Sequence, residues 1–170
     1  MTSRTLRAVS NSSPLIHLSA ISRLHLLRHF HETVLIPPAV WREVVEEGKG
    51  RPGAAEVEKA RHEGWLTVIP PVDQFLVRAL SADLDQGEAE AIVLALEQSP
   101  VVLLLDERRA RLRARTYSLR LTGVIGILIR ARRTGLIPSL RVALQELTEK
   151  SGFWIHKTVF DAALKAVGEK

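Results

Sequence analysis

The chain has 170 residues, 46% hydrophobic and 25% charged, a composition that suits one soluble globular domain with a real core. It has no cysteine, which excludes disulfides and thiolate metal sites and makes the cytoplasm the default compartment. No apolar run approaches the ~20 residues of a membrane span, MTSRTLRAVSNSS lacks the apolar core of a signal peptide, and a net charge of +5 favours an anionic partner, commonly nucleic acid.

RAVS (7–10) reads as a short strand, and residues 15–30 have the apolar spacing of a helix with Pro14 in its first turn. TVLI (33–36) is the next strand. Pro37-Pro38 opens a helix through Glu47 that Gly48 closes. A helix over 52–63 leads to strand WLTVI (65–69). Helices over 73–82 and 87–98 precede VVLLL (101–105), a continuous apolar strand. A helix over 107–117 and strand SLRLT (118–122) follow. The tail holds helices over 123–134, 139–150 and 156–167. The expected organisation is one domain over 1–170 with a helical C-terminal segment over 139–170. Strand–helix alternation around a fully apolar strand predicts an α/β fold with a parallel sheet covered on both faces. In such sheets ligands bind at the carboxyl ends of strands.

Polar residues stand at three strand ends: Ser10-Asn11-Ser12-Ser13, Asp106-Glu107 and Thr122-Gly123. Glu43 and Glu88 stand on neighbouring helices. Each has a simple alternative. Asn11, Ser12, Ser13, Asp106 or Thr122 can cap the helix that follows, and Asp85 with Glu88 has capping-box spacing. Glu43 lies in mid-helix beside Val40 and Val44, at the margin of an apolar stripe, where an acid is costly without a partner. Glu88 and Glu90 are about 200° apart on their helix and cannot share a target. Glu88 shares its face with Ile92 and Ala95, so Glu90 is expected as a supporting or surface group.

Asn11, Glu43, Glu88 and Asp106 are then hard oxygen donors near adjacent strand ends. Clustered carboxylates resist ionising together and call for a cation. All-oxygen ligation suits Mg²⁺ or Mn²⁺, which activates water and offsets charge on a phosphodiester. Arg108, Arg111 and Arg115 belong to an arginine-rich segment that would hold phosphates, unless it is only a solvated face.

The stretches VSNSSPLIHL, VLIPPAVWREV, LDQGEAEAIVLAL, LLLDERRARLRA and LTGVIGILIRARRTGLIPSL resemble the PIN-domain-like nuclease superfamily. The nearest resemblance is to a prokaryotic branch of PIN-like nucleic-acid-binding proteins. It implies a Rossmann-like α/β/α sandwich with a central parallel sheet of about five strands. It also implies a Mg²⁺- or Mn²⁺-dependent ribonuclease, commonly a dimer, and often the toxin of a toxin–antitoxin pair held inactive by a small antitoxin. Carried over by position, the first-strand acid falls on Asn11 and the hydroxyl after it on Ser12 or Ser13. The remaining family acids fall on Glu43, Glu88 and Asp106, with Glu107 as a further ligand and Thr122 as a further polar group. Asn11 departs from the family's usual aspartate. Its amide oxygen can ligate a metal but brings no charge. The expected function is a metal-dependent endoribonuclease acting on RNA, with DNA as the other candidate substrate. The alternative is a catalytically weak or inactive nucleic-acid-binding or regulatory protein.

His25, His29 and His31 lack an HExxH pattern and are read as ordinary helix residues. Trp41, Trp65 and Trp154 are expected as core or interface anchors rather than base-stacking platforms. The amphipathic segment FWIHKTVFDAALKAV either covers a sheet face or packs against a second copy or an antitoxin.

Overall fold

The computed structural model describes residues 7–170. Five strands form one parallel sheet in the order β3-β2-β1-β4-β5: β1 (Ala8–Ser10), β2 (Val34–Ile36), β3 (Leu66–Val68), β4 (Val102–Leu104) and β5 (Arg120–Thr122). Ala8 is opposite Val34 on one side and Val102 on the other. From β1 the chain builds outward to β2 and β3, then returns to lay β4 on the free side of β1. That reversal opens a crevice between the carboxyl ends of β1 and β4, where α/β sheets take their ligands.

Period-two alternation sends successive strand residues to opposite faces. Ala8, Val34, Ile36, Leu66 and Leu104 pack in one core with α1 (Ser12–Ala20), α2 (His25–Phe30), α4 (Ala54–His62), α8 (Val124–Arg133), α9 (Leu140–Ser151) and α10 (Lys157–Ala166). Val9, Leu35, Leu103 and Leu105 pack in the other core with α5 (Gln74–Leu80), α6 (Gln86–Glu97) and α7 (Arg108–Arg115). Helices on both faces make an α/β/α sandwich. Leucine is not among the strongest strand formers, yet Leu103, Leu104 and Leu105 are all fully buried. Burial of each is worth roughly 1.5–3 kcal/mol, more than the ~1 kcal/mol span of strand propensity.

Two elements differ from the expected pattern. The segment 15–30 is not one helix. It bends at Ser22, which has φ +57°, and α2 restarts at His25. The bend lets Ile21, Leu24, Leu27 and Phe30 all reach one core. The helix after β2 changes character midway: α3 (Pro38–Trp41) runs into a π turn over Arg42–Glu46, closed by Glu47 N–H donating to Arg42 O at 2.8 Å. A side chain at Gly48 would place its Cβ 2.3 Å from Val44 O, so the wide turn requires glycine there. Single π turns recur at functional sites, and this one carries Glu43. The tail helices lie within one or two residues of expectation.

Candidate active site

A cleft of about 700 Å³ opens at the carboxyl ends of β1 and β4, and Asn11, Ser12, Ser13, Glu43, Asp85, Glu88, Asp106, Glu107 and Arg108 line it. Six chain segments meet there, Ile125 and the stretch from Phe153 to Val159 supplying the last two. Asn11 ends β1, with its N–H donating to Leu104 O at 3.1 Å. It stands at the N-cap position of α1, but its side chain caps nothing: Oδ1 is buried with no hydrogen-bond partner. The capping account therefore fails for Asn11. Ser12 spends its hydroxyl on Glu43 Oε2, at 2.7 Å. Glu43 itself is exposed at the cleft, while its neighbours Val40 and Val44 are buried.

Asp106 does not cap the helix after its own strand. Glu107 does that, accepting from Arg109 N–H at 3.1 Å. Nor does Thr122 cap α8. Asp106 Oδ1 accepts the N–H of Val124, the first residue of α8, at 2.9 Å. Gly123 makes the approach possible: a Cβ there would lie 2.4 Å from Asp106 Oδ1. The other oxygen, Asp106 Oδ2, is buried with no hydrogen-bond partner. Burial pushes the Asp106 carboxyl up to about 6, against the opposing pull of Val124 N–H, the Arg111 guanidinium and the Ser13 hydroxyl.

Glu88 and Asp85 form the expected capping box at the start of α6. Asp85 Oδ1 accepts Glu88 N–H at 2.8 Å, and Glu88 Oε2 accepts Asp85 N–H at 3.1 Å. The box does not remove Glu88 from the site; it fixes the residue at the cleft wall. Burial raises the Glu88 pKa, and the charges of Asp85, Glu107 and Glu43 raise it further. Glu88 is thus the carboxylate of the cleft on which burial and neighbouring negative charge act in the same direction. Glu90 is not on the surface. It is buried, and its Oε2 accepts Ala39 N–H at 2.9 Å, tying the start of α3 to α6. It thereby supports the helix that leads into Glu43.

The arginines of α7 divide by face. Arg109 and Arg113 turn to Asp83 and are ion-paired with it. Arg108, Arg111 and Arg115, spaced i, i+3 and i+7, line a second groove of about 610 Å³ together with Thr122, Gly123, Leu112 and Phe153. That groove adjoins the cleft through Asp106, Arg108, Ile125, Phe153 and Val159, which line both. Arg111 Nη1 donates to Leu105 O at 2.6 Å, and burial lowers its pKa.

A family model described as PIN domain matches residues 7–169. The chain belongs to the PIN-domain family. No curated protein matches it. PIN domains are nuclease-type, nucleic-acid-binding domains that generally depend on a divalent metal. In this PIN domain the donors at the strand ends are oxygens, and two of them, Asn11 Oδ1 and Asp106 Oδ2, are buried without a partner, while on the facing wall the Nδ1 atoms of His17 and His156 are engaged by Ser151 and Thr158. Orphaned oxygens of this kind beside mutually repelling carboxylates suit a hard dication. Among the described residues, no three His, Asp or Glu side chains are grouped to hold an ion by themselves. Among the described residues no helix is long and apolar enough to cross a membrane.

The wall contributed by Phe153, Trp154, Ile155, His156 and Val159 had no counterpart in the motif reading. Its signal was the amphipathic final segment, whose place in the fold only packing decides.

Proposed function

We propose that this PIN domain is a metal-dependent endoribonuclease. The observation that carries the reading is the pair of buried, unpartnered oxygens, Asn11 Oδ1 and Asp106 Oδ2, at the strand ends where the sheet order reverses. Asn11 and Asp106 would hold Mg²⁺ or Mn²⁺, with Glu43, Glu88 and Glu107 as the other carboxylates of the cleft. A bound dication supplies a water of lowered pKa and offsets charge on the phosphodiester. The protein does the rest. Ser12 orients Glu43, the α6 capping box holds Glu88, and Val124 N–H holds Asp106. Arg108 and Arg111 face the phosphates of the strand. Asp106 must be ionised to serve; burial works against that form in the metal-free cleft, and a bound dication would favour it.

A toxin role, a small antitoxin partner, a homodimer and a cytoplasmic location accompany this reading as part of the proposal. Asn11 favours one alternative, a catalytically weak nucleic-acid-binding regulator, because the amide withholds a charge from the ion.

The test is cleavage of a mixed-sequence single-stranded RNA by purified protein with Mn²⁺, Mg²⁺ or chelator, in wild type, Asp106→Asn and Asn11→Asp. The nuclease reading expects metal-dependent cleavage that Asp106→Asn abolishes. No cleavage by wild type, with a large gain in Asn11→Asp, establishes the regulator. Chelator-resistant cleavage that survives Asp106→Asn overturns the assignment of this cleft.

A further inference from the structure

Trp154, on the cleft wall, is 78% exposed. The other two tryptophans behave as anchors: Trp41 is half-buried under Arg61, 4.5 Å from the ring, and Trp65 is half-buried and donates to Glu63. Trp154 anchors no core. With Phe153, Ile155 and Val159 the indole makes a contiguous apolar wall, and such a wall beside arginines suits an occupant with both a flat apolar face and negative charge.

The segment that carries it is held in place. His17, on α1, contacts Ser151 Oγ through Nδ1 at 2.9 Å and meets the Phe153 ring edge-on at 4.9 Å. Burial holds His17 toward its neutral form. Past Trp154, His156 packs against the indole edge-on at 5.7 Å and caps α10 by accepting Thr158 N–H at 3.2 Å. The wall is therefore fixed at both ends of residues 151–156, and it presents an exposed indole to the cleft.

Opposite in character is the α7 face. Arg108 and Arg115 form no ion pair among the described residues, whereas Arg109 and Arg113 on the other face do. The cleft and the α7 groove are continuous through Phe153 and Val159. One channel thus has a row of cations, an apolar aromatic wall and the acids of the site between. Cations that track a backbone beside rings that take bases are the chemistry of single-stranded nucleic acid.

We propose that Trp154 is a base-stacking, specificity-determining residue of a single-strand groove, with the nucleic-acid backbone running along Arg108 and Arg115. A nucleotide flanking the scissile phosphate stacks on the indole while its phosphates meet the arginines. Duplex is excluded because its bases present no free face. The inference rests on the nuclease-type reading for the position of the scissile bond, but the stacking itself needs no turnover.

The experiment is a fluorescence titration in chelator, at low salt, with three probes: a uridine homopolymer of about ten nucleotides, its abasic ribose-phosphate counterpart, and a duplex RNA. The uridine strand is expected to quench tryptophan emission. Trp154→Phe should lose most of the quench. Trp154→Ala should bind about ten-fold more weakly. The abasic strand should bind wild type and Trp154→Ala alike, and Arg108→Ala with Arg115→Ala should flatten the salt dependence. A deoxyuridine strand that behaves as the RNA does also supports stacking and extends it to DNA. Equal quenching by duplex, or a quench retained in Trp154→Phe, overturns the inference. So does a Trp154→Ala protein whose nucleic-acid affinity is unchanged but whose dimer or protein complex dissociates on sedimentation. Trp154-dependent quenching without any cleavage in metal sinks the nuclease reading and leaves the stacking intact; cleavage with unchanged KM in Trp154→Ala does the reverse.

Discussion

The Ser12 hydroxyl donates to Glu43 Oε2 at 2.7 Å, joining the first turn of α1 to the π turn after α3. The two residues are 31 positions apart, and the bond holds an exposed acid at the cleft. Ser12→Ala removes the donor. With Glu43 solvent-accessible, the stability loss should stay near 1 kcal/mol. The cleavage rate should fall more, roughly ten-fold, because the freed carboxylate samples other rotamers. Urea denaturation and single-turnover cleavage measure the two effects separately.

Asp106 carries opposite consequences for stability and for activity. Its folded pKa of about 6 lies above the ordinary carboxylate value of 3.8. A raised carboxylate pKa favours the folded state only while the group is protonated. In metal-free protein the penalty is absent below about pH 4, grows through pH 6, and is complete above it. Asp106→Asn keeps an oxygen for Val124 N–H and removes the charge. It should raise the Tm of metal-free protein at pH 8, by an amount that shrinks to nothing near pH 4. The same variant should lose all stabilisation by Mn²⁺ and at least 100-fold in cleavage rate. Calorimetry with and without the metal, across pH, checks both signs.

Gly123 sits where a Cβ would meet Asp106 Oδ1 at 2.4 Å. Gly123→Ala must push the carboxylate off Val124 N–H or shift the start of α8. Cleavage should drop by about 100-fold, while most of the fold's stability remains. A variant with wild-type activity would mean that the position of Asp106 is not critical. The test is cleavage at saturating Mn²⁺ beside a urea melt.

Glu169 closes the C-terminal end on itself. It accepts the N–H groups of Leu140 and Arg141 at the start of α9, at 2.8 and 2.9 Å, and pairs with Arg132 at 2.7 Å. The backbone N–H groups of Arg141 and Leu140 lead the causes that lower its pKa to about 2. A depressed carboxylate pKa stabilises the fold above the unfolded value, near 4.5, and that stability is lost as pH falls from there toward 2. Glu169→Gln should therefore be less stable than wild type at pH 7, with the two melts converging near pH 2. Thermal melts across that range measure it.

The fold was legible in the sequence because its signals are local. VVLLL, set among alternating strand and helix patterns, fits a strand buried on both faces of a covered parallel sheet, and Pro and Gly mark most helix ends. The break at Ser22 was not legible, since residues 15–30 keep an apolar stripe throughout; the bend answers to what the other elements require of Leu24 and Phe30. The π turn was hidden in the same way, because its hydrogen bonds leave almost no trace in residue type.

For the site, the chain itself determined which chemistry was on offer: oxygen donors and no thiols, an amide at Asn11, acids at 43, 88, 106 and 107, and arginines at 108, 111 and 115. Side-chain type and helical spacing are properties of a short segment. What each group does with its lone pairs is not. Only tertiary contact decided that Asn11 caps nothing, that Asp106 caps a helix 18 residues away, that Glu90 is spent on Ala39, and that Arg109 and Arg113 are consumed by Asp83 while Arg108 and Arg115 are not. Hydrogen bonds and ion pairs are satisfied by whichever partner lies within about 3 Å. Those partners come from segments that meet only when the sheet reverses direction between β1 and β4.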